Sequence, residues 1–265
     1  MRATQVRPQV QVLERGNILF LYQPKRDVTQ ARGPDDLERL YFMLIPDHRE
    51  EHKSRIFSLS RNALPIVVSG TAAPEERVWG LAQEVDPDPT VALDDLQEEA
   101  TAAQAPGQRA RPWVRAAGEG RYAIFRHGAG THLAYALAKP EEPGEVQKAL
   151  EIRPQGNYLI SVKAPAAPAG IPAGGPPLYP PRLESRFTRA DLIPVEPSDF
   201  LDYPNTQVLL LAADADARQE LGVRLEPNAL NQGQKQVLQI LHKEERIAAR
   251  EGVALLQPLK EGHWA

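Results

Sequence analysis

The sequence predicts an α+β fold with two related β-rich halves, each a hairpin plus a third strand, joined by a bridging helix and followed by a C-terminal helix. Two observations predict this fold. The stretch from Glu119 to Pro165 contains two apolar runs around a turn signal and then a third run, which is the pattern of a hairpin and a strand. A weaker copy of the same order lies between Gly16 and Leu59.

The two copies match element by element. Their apolar runs lie at 121–125, 133–138 and 158–162 in the later copy and at 17–22, 40–45 and 55–59 in the earlier one. When the closing prolines are aligned, Tyr41 falls opposite Tyr135 and Ser58 falls opposite Ser161. Three strands bury too little apolar surface by themselves, so we expect the two units to pack together or to complete one larger sheet.

The remaining elements lie outside the two copies. We expect further strands at 9–15, 77–81 and 207–212. Thr90 is a predicted N-cap of the bridging helix VALDDLQEEATAAQ, and apolar residues recur at helical spacing between Gln232 and Arg250. The predicted domains are residues 1–104 for the first half with its bridging helix, 113–214 for the second half with a Pro-rich linker at 164–181, and 215–265 for the C-terminal helix and tail.

The composition is that of a globular protein and excludes several classes. The 265 residues are 42% hydrophobic and 25% charged, with a formal net charge of -4. The absence of cysteine excludes disulfides, thiolate metal ligands and a cysteine nucleophile. We see no signal peptide and no apolar run of the roughly 18 residues that a membrane span needs. We therefore expect a cytoplasmic protein with no membrane partner.

A first candidate site follows an apolar strand, where the sequence reads RHG. The motif resembles the signature of histidine phosphatases, which implies a phosphorylated His127 and an Arg126 that binds phosphate. That chemistry needs a second histidine downstream, and only His132, His242 and His263 follow. The motif also lies mid-chain, whereas the family has it near the start and before a helix. Arg126, His127 and His132 are therefore weak catalytic candidates, and a hairpin turn is the alternative.

A second candidate is HREEH, which matches the H-x-x-E-H pattern of inverzincin metallopeptidases. In that pattern two histidines one helical turn apart bind zinc and the glutamate is the base. Here His48, Glu51 and His52 lie in a gap too short for such a helix. They are weak metal candidates, and a solvated, charged turn is the alternative.

A third candidate is a basic segment between residues 109 and 132. Arginines interleaved with an aromatic ring suit a polyanion, because the charge contacts phosphates and the ring stacks on bases. The net negative charge of the chain argues against strong nonspecific binding of nucleic acid, and a solvated connector is the alternative. The candidate ligand-binding residues are Arg109, Arg111, Trp113, Arg115, Arg121 and Arg126.

No Walker loop, dinucleotide fingerprint, G-x-S-x-G or EF-hand loop occurs, so we expect no cofactor. The chain resembles a family of bacterial proteins of uncharacterised function in the strings ERGNILFLYQPK, EGRYAIFRHGAGTHLAYAL, PGEVQKALEI, NYLISVKAP and EGHWA. This resemblance does not indicate any particular activity. The leading hypothesis is a non-enzymatic binding or interaction protein that contacts a protein partner or a second copy of itself. The alternatives are a phosphate-handling hydrolase centred on Arg126 and His127, and a polyanion-binding protein.

Overall fold

The structure is a computed structural model that describes residues 10–26, 28, 30–66, 77–101, 113–172, 174–213 and 225–265. Strands account for most of its regular structure. Within the described residues there are nine: β1 Gln11–Pro24, β2 Leu37–Pro46, β3 Ser54–Leu59, β4 Val78–Asp86, β5 Arg115–His127, β6 Gly130–Lys139, β7 Gln155–Lys163, β8 Leu192–Pro194 and β9 Gln207–Ala212.

The sheet closes into an eight-stranded antiparallel barrel. Its strand order is β6-β5-β1-β2-β3-β4-β9-β7, and a further pairing of β6 with β7 completes the ring. The first part of β7 pairs with β6, and its last residues pair on the same side with β8. The expectation of a β-rich chain with a few helices is therefore confirmed, and the closure into a barrel is a feature that the strand pattern did not predict.

The barrel interior is a single apolar core. Because side chains alternate along a strand, Ile18, Phe20 and Tyr22 of β1 point inward. There they meet aromatic residues of other strands, as in the edge-to-face contact of Phe20 with Tyr135 at a centroid distance of 5.0 Å. The centre of the barrel is thus filled by side chains.

The outer face of β1, β2 and β3 is apolar as well, because two helices cover it. These are α1, Pro89–Thr101, and the longest helix, α4, Gln232–Ala248. Val237 and Leu241 of α4 pack in a second core that includes Leu19, Met43 and Ile56. Burial on both faces explains why the runs NILFLY and YFMLIP lack the polar alternation of a half-exposed strand.

Both helices begin at side-chain caps. Asn231 accepts a hydrogen bond from the backbone N–H of Gln234 at 2.9 Å, as an N-cap does. At α1, Asp88 accepts from the backbone N–H of Thr90 at 2.9 Å, so Asp88 is the cap and the expectation for Thr90 was wrong. Pro89 explains the shift, since proline favours the first helical position.

Shorter helices lie in the connections. They are α2 Glu145–Ala149, α3 Pro181–Glu184 and α5 Gln257–Glu261, with 3-10 turns at Pro34–Asp36, Ser198–Asp202 and Ala249–Glu251. Every helix in the described part of the chain is too short or too polar to cross a lipid bilayer.

The described residues of the proline-rich stretch at 164–181 form no ladder of backbone hydrogen bonds, and side chains hold them on the barrel. The Gln207 amide bonds both the N–H and the C=O of Ile171, at 2.8 Å each. The Tyr179 hydroxyl lies 3.0 Å from Thr206 Oγ1, and its ring stacks on Phe187. These contacts bring α3 and the following loop to one end of the barrel.

Two glycines allow neighbouring strands to approach closely. A Cβ on Gly16 would collide with the carbonyl oxygen of Ile45, and a Cβ on Gly120 would collide with that of Ala136. Both obstacles are backbone atoms of a paired strand, so they cannot move aside without breaking the ladder.

We predict that Gly16→Ala and Gly120→Ala each destabilise the fold by several kcal/mol, because overpacking against fixed atoms costs about 1–3 kcal/mol or more. Urea unfolding followed by circular dichroism measures the loss. Gly33→Ala is the control, since a Cβ at that extended position meets nothing within 4 Å. Losses no larger than the control would contradict the steric argument.

Candidate functional site

A cluster of charged side chains is buried at one end of the barrel. Arg55, with no exposed side-chain surface, makes two hydrogen bonds to Glu14, Nη1 to Oε1 at 2.5 Å and Nη2 to Oε2 at 3.0 Å. Its other edge donates to Asp202 Oδ1, from Nε at 2.9 Å and from Nη2 at 2.6 Å. One guanidinium therefore joins β1, β3 and the 3-10 turn at Ser198–Asp202.

Two further groups complete this cluster, which we call the ion cluster. The Tyr122 hydroxyl donates to Glu14 Oε1 at 2.5 Å, and the Lys53 backbone N–H donates to Asp202 Oδ1 at 2.9 Å. Buried carboxylates are tolerated only when their oxygens are satisfied in this way. Sequence reasoning missed the cluster. The one local hint is that Arg55 is the second residue of β3, whose other side chains are apolar or small.

His52 lies at the border between the ion cluster and solvent. Its Nδ1 is 3.4 Å from Asp202 Oδ2 and 3.6 Å from Glu14 Oε2, and 12% of its side chain is exposed. The hydrogen bond to Asp202 raises the pKa of His52, with a further contribution from the charge of Glu14, against the opposing effects of burial and Arg55. The pKa of Asp202 is lowered, because the bonds from His52 and Arg55 outweigh its burial.

A cleft of about 480 Å³ opens beside His52. We call it the end cleft, lined among others by Gln11, Leu13, His52, Leu183, Arg186 and Ser198. A second cavity of about 280 Å³ shares His52, Arg182 and Asp199 with it. The ion pair of Arg182 with Asp199, at 2.7 Å, therefore stands between the two cavities.

The cations around the end cleft differ in their partners. Arg182 is paired with Asp199, and Arg126 lies 3.1 Å from Glu196. Arg186 donates only to the backbone carbonyl of Glu196 at 3.3 Å, and within the described residues it has no carboxylate at ion-pair distance. Its charge is thus the one least compensated at the rim of the cleft.

The RHG residues lie at the turn between β5 and β6, as the hairpin alternative expects. Because side chains alternate along a strand, Arg126 and His127 face opposite sides of the hairpin. Arg126 reaches Glu196, whereas the His127 ring lies 6.0 Å from the His132 ring. The structure therefore brings the two histidines together and leaves Arg126 apart from them, and the hydrolase hypothesis stays a prediction.

The residues of HREEH form the turn between β2 and β3. The backbone N–H of His52 donates to the carbonyl oxygen of His48 at 3.0 Å, so the segment forms a single turn and not a longer helix. His48 and Glu51 are exposed, whereas His52 faces the ion cluster. The second histidine of the motif therefore contacts Glu14 and Asp202, carboxylates that the motif does not contain.

The described arginines of the basic segment are distributed along β5. Arg115 is buried, with its guanidinium 6.0 Å from the Tyr22 ring centre. Arg121 donates to the Asp47 carboxylate through Nη1 and Nη2. Arg115 and Arg126 lie near opposite ends of β5, roughly 35 Å of strand apart at about 3.3 Å per residue. Trp113 precedes the strand and is half-buried, and Arg109 and Arg111 lie outside the described residues.

Comparisons of the chain with protein-family models, with curated proteins and with solved structures found no match. The site must therefore be interpreted from its own geometry. No group of three or more His, Asp or Glu side chains in the described ranges is arranged to hold a metal ion. At the end cleft, hydrogen-bond donors of Arg182, Arg186 and His52 lie beside apolar surface. The carboxylates of Glu196 and Asp199 line the cleft too, and each pairs with an arginine.

We predict that Arg55→Met destabilises the fold by about 3–5 kcal/mol, because it leaves two carboxylates buried without their cation. Urea unfolding gives the loss. Adding Glu14→Gln and Asp202→Asn should recover part of it by removing the unpaired charges. The control is Arg153→Met, which removes the exposed 3.2 Å pair with Glu151 and should cost at most about 1 kcal/mol. Equal costs for Arg55→Met and this control would contradict the structural role of the ion cluster.

We further predict that His52 makes the stability depend on pH. Its pKa is raised above the ordinary 6.5 in the folded state, so its stabilising contribution is full below pH 6.5 and is lost as the pH rises through the raised value. The free energy of unfolding, measured in urea, should therefore contain a decrease between pH 6 and pH 9 that His52→Gln removes. His48→Gln, a change in the same turn, should leave that component in place. If the free energy of unfolding depends on pH in the same way in the wild type and in His52→Gln, the proposed role of His52 is refuted.

Proposed function

We propose that this protein is a non-enzymatic binding protein whose end cleft takes a small ligand with an anionic group and an apolar group. The observation that carries the proposal is that Arg186, which has no carboxylate at ion-pair distance in the described residues, lines the same cleft as His52, whose Nδ1 faces two carboxylates. This arrangement favours the protonated imidazole. Two cationic donors then border the same cavity.

The rest of the cleft supports this ligand class. Leu13, Leu183 and Pro197 supply apolar lining, and Gln11 adds an amide. Its volume of about 480 Å³ lies within the range of roughly 300–1,000 Å³ that small-molecule sites occupy. A carboxylate or phosphate that contacts Arg186, with an attached alkyl or aryl group against the leucines, satisfies both parts of the lining.

The same contacts favour binding over catalysis. A raised pKa makes a histidine a weaker candidate for a general base at neutral pH, and the surroundings of His52 raise its pKa. The carboxylates of Glu14 and Asp202 already accept several hydrogen bonds each from Arg55 and its neighbours. We retain the cytoplasm as the proposed location, since the chain has no cysteine.

We also propose that the barrel consists of two related halves. The supporting observation is the register of β1 with β5, in which Gly16 pairs with Tyr122 and Ile18 pairs with Gly120. A twofold relation about the Asn17–Arg121 pair would exchange these two pairs. Each half would then be a meander, β1-β2-β3 or β5-β6-β7, and the proposal requires similar costs for the two glycine substitutions above.

We predict that octanoate and p-nitrophenyl phosphate bind the full chain and raise its melting temperature, with affinities obtained by calorimetry. Arg186→Gln should weaken binding by roughly ten- to one hundred-fold, since a hydrogen bond to a charged group contributes about 1.5–3 kcal/mol. Arg189→Gln, a neighbouring exposed arginine outside the cleft lining, is the matched control.

Two results would overturn the binding proposal. One is that neither octanoate nor p-nitrophenyl phosphate binds, or that both bind Arg186→Gln as tightly as they bind the Arg189→Gln control. The other is steady release of p-nitrophenol that His127→Gln abolishes, which would favour the phosphate-handling hydrolase instead.

A further inference from the structure

Two histidines face each other across the β5–β6 hairpin. His127 pairs with Gly130, and Phe125 pairs with His132, so the two histidines are diagonal neighbours on one face of the hairpin. Their ring centres lie 6.0 Å apart with 60° between the ring planes. Their spacing in the chain, with four residues between them, is a product of the tight turn.

The ring of His132 is held in one orientation. It stacks on Phe125 at a centroid distance of 5.2 Å with 9° between the planes, and its Nδ1 lies 3.1 Å from Asn157 Oδ1. An amide oxygen only accepts hydrogen bonds, so Nδ1 carries the proton and donates it. Nε2 therefore keeps its lone pair, which is the arrangement that outer partners impose on metal-binding histidines.

The Nε2 atom of His132 faces the end of the hairpin. A Cβ placed on Gly130 would lie 4.0 Å from His132 Nε2, so this nitrogen is directed toward the hairpin end where His127 lies. The same point lies 3.0 Å from a methyl group of Leu159 and 3.9 Å from the backbone carbonyl oxygen of His127, and Leu159 is partly exposed.

We propose that His127 and His132 together bind a transition-metal ion of the zinc, nickel and copper group, with Asn157 as a positioning residue behind His132. Imidazole nitrogens suit these metals, at bond lengths of about 2.0–2.1 Å for zinc. His127 is half-buried, and a rotation of its ring brings a second nitrogen to the ion. Two protein nitrogens leave further coordination positions for water or an external ligand. Magnesium and calcium prefer oxygen ligands, which neither histidine provides.

The test uses the full chain without a histidine tag and titrates Zn²⁺, Ni²⁺ and Cu²⁺ by calorimetry. We expect binding of one equivalent of each metal at this site and none of Mg²⁺ or Ca²⁺. His127→Gln, at the rim of the hairpin, should weaken Zn²⁺ binding by at least about ten-fold, and Asn157→Ala by about ten-fold or more, as loss of an outer partner does. The control is His242→Gln, an exposed histidine on α4 whose Nδ1 lies 3.8 Å from Glu245, and it should not change the affinity.

A second measurement locates the metal without a substitution. Substoichiometric Cu²⁺ should broaden the imidazole proton signals of His127 and His132 before those of the other four histidines. The proposal fails if Zn²⁺ affinity is the same in His127→Gln as in the control, or if another histidine broadens first. Circular dichroism shows whether each variant is folded. The experiment does not depend on the end cleft, so either proposal can fail alone.

Discussion

The buried guanidinium of Arg55 is the contact on which this end of the barrel depends. It lies between Glu14 and Asp202 and so connects the first strand, the third strand and a turn that precedes the ninth strand. A cation in this position is stable only because both carboxylates are present, and each carboxylate is stable only because of the cation. The three elements are therefore positioned together.

The end cleft is a consequence of this arrangement. The turn that carries Asp202 also carries Ser198 and Asp199, which line the cleft. His52, which contacts Glu14 and Asp202, lines the cleft as well. The shape of the cavity and the charge state of its histidine thus share one cause. This coupling supports the proposed binding role, because His52 is held in place before any ligand arrives.

A second constraint is the close approach of strands at Gly16 and Gly120. At these two positions neighbouring backbones come so near that no side chain fits between them. The helices α1 and α4 then cover the outer face of the first three strands, and that face is as apolar as the inner one.

Local chemistry in the sequence determined most of the elements, including the hairpin around GAGT, the strand at 207–212 and the helix from Gln232. Turn residues and apolar periodicity act over a few positions, so they can be recognised in the sequence alone. Barrel closure and the ion cluster were decided only in three dimensions, because Glu14, Arg55 and Asp202 come from distant parts of the chain. The partner of each charge depends on which strands pair, and the same holds for His127 and His132, whose meeting depends on the register of a single turn.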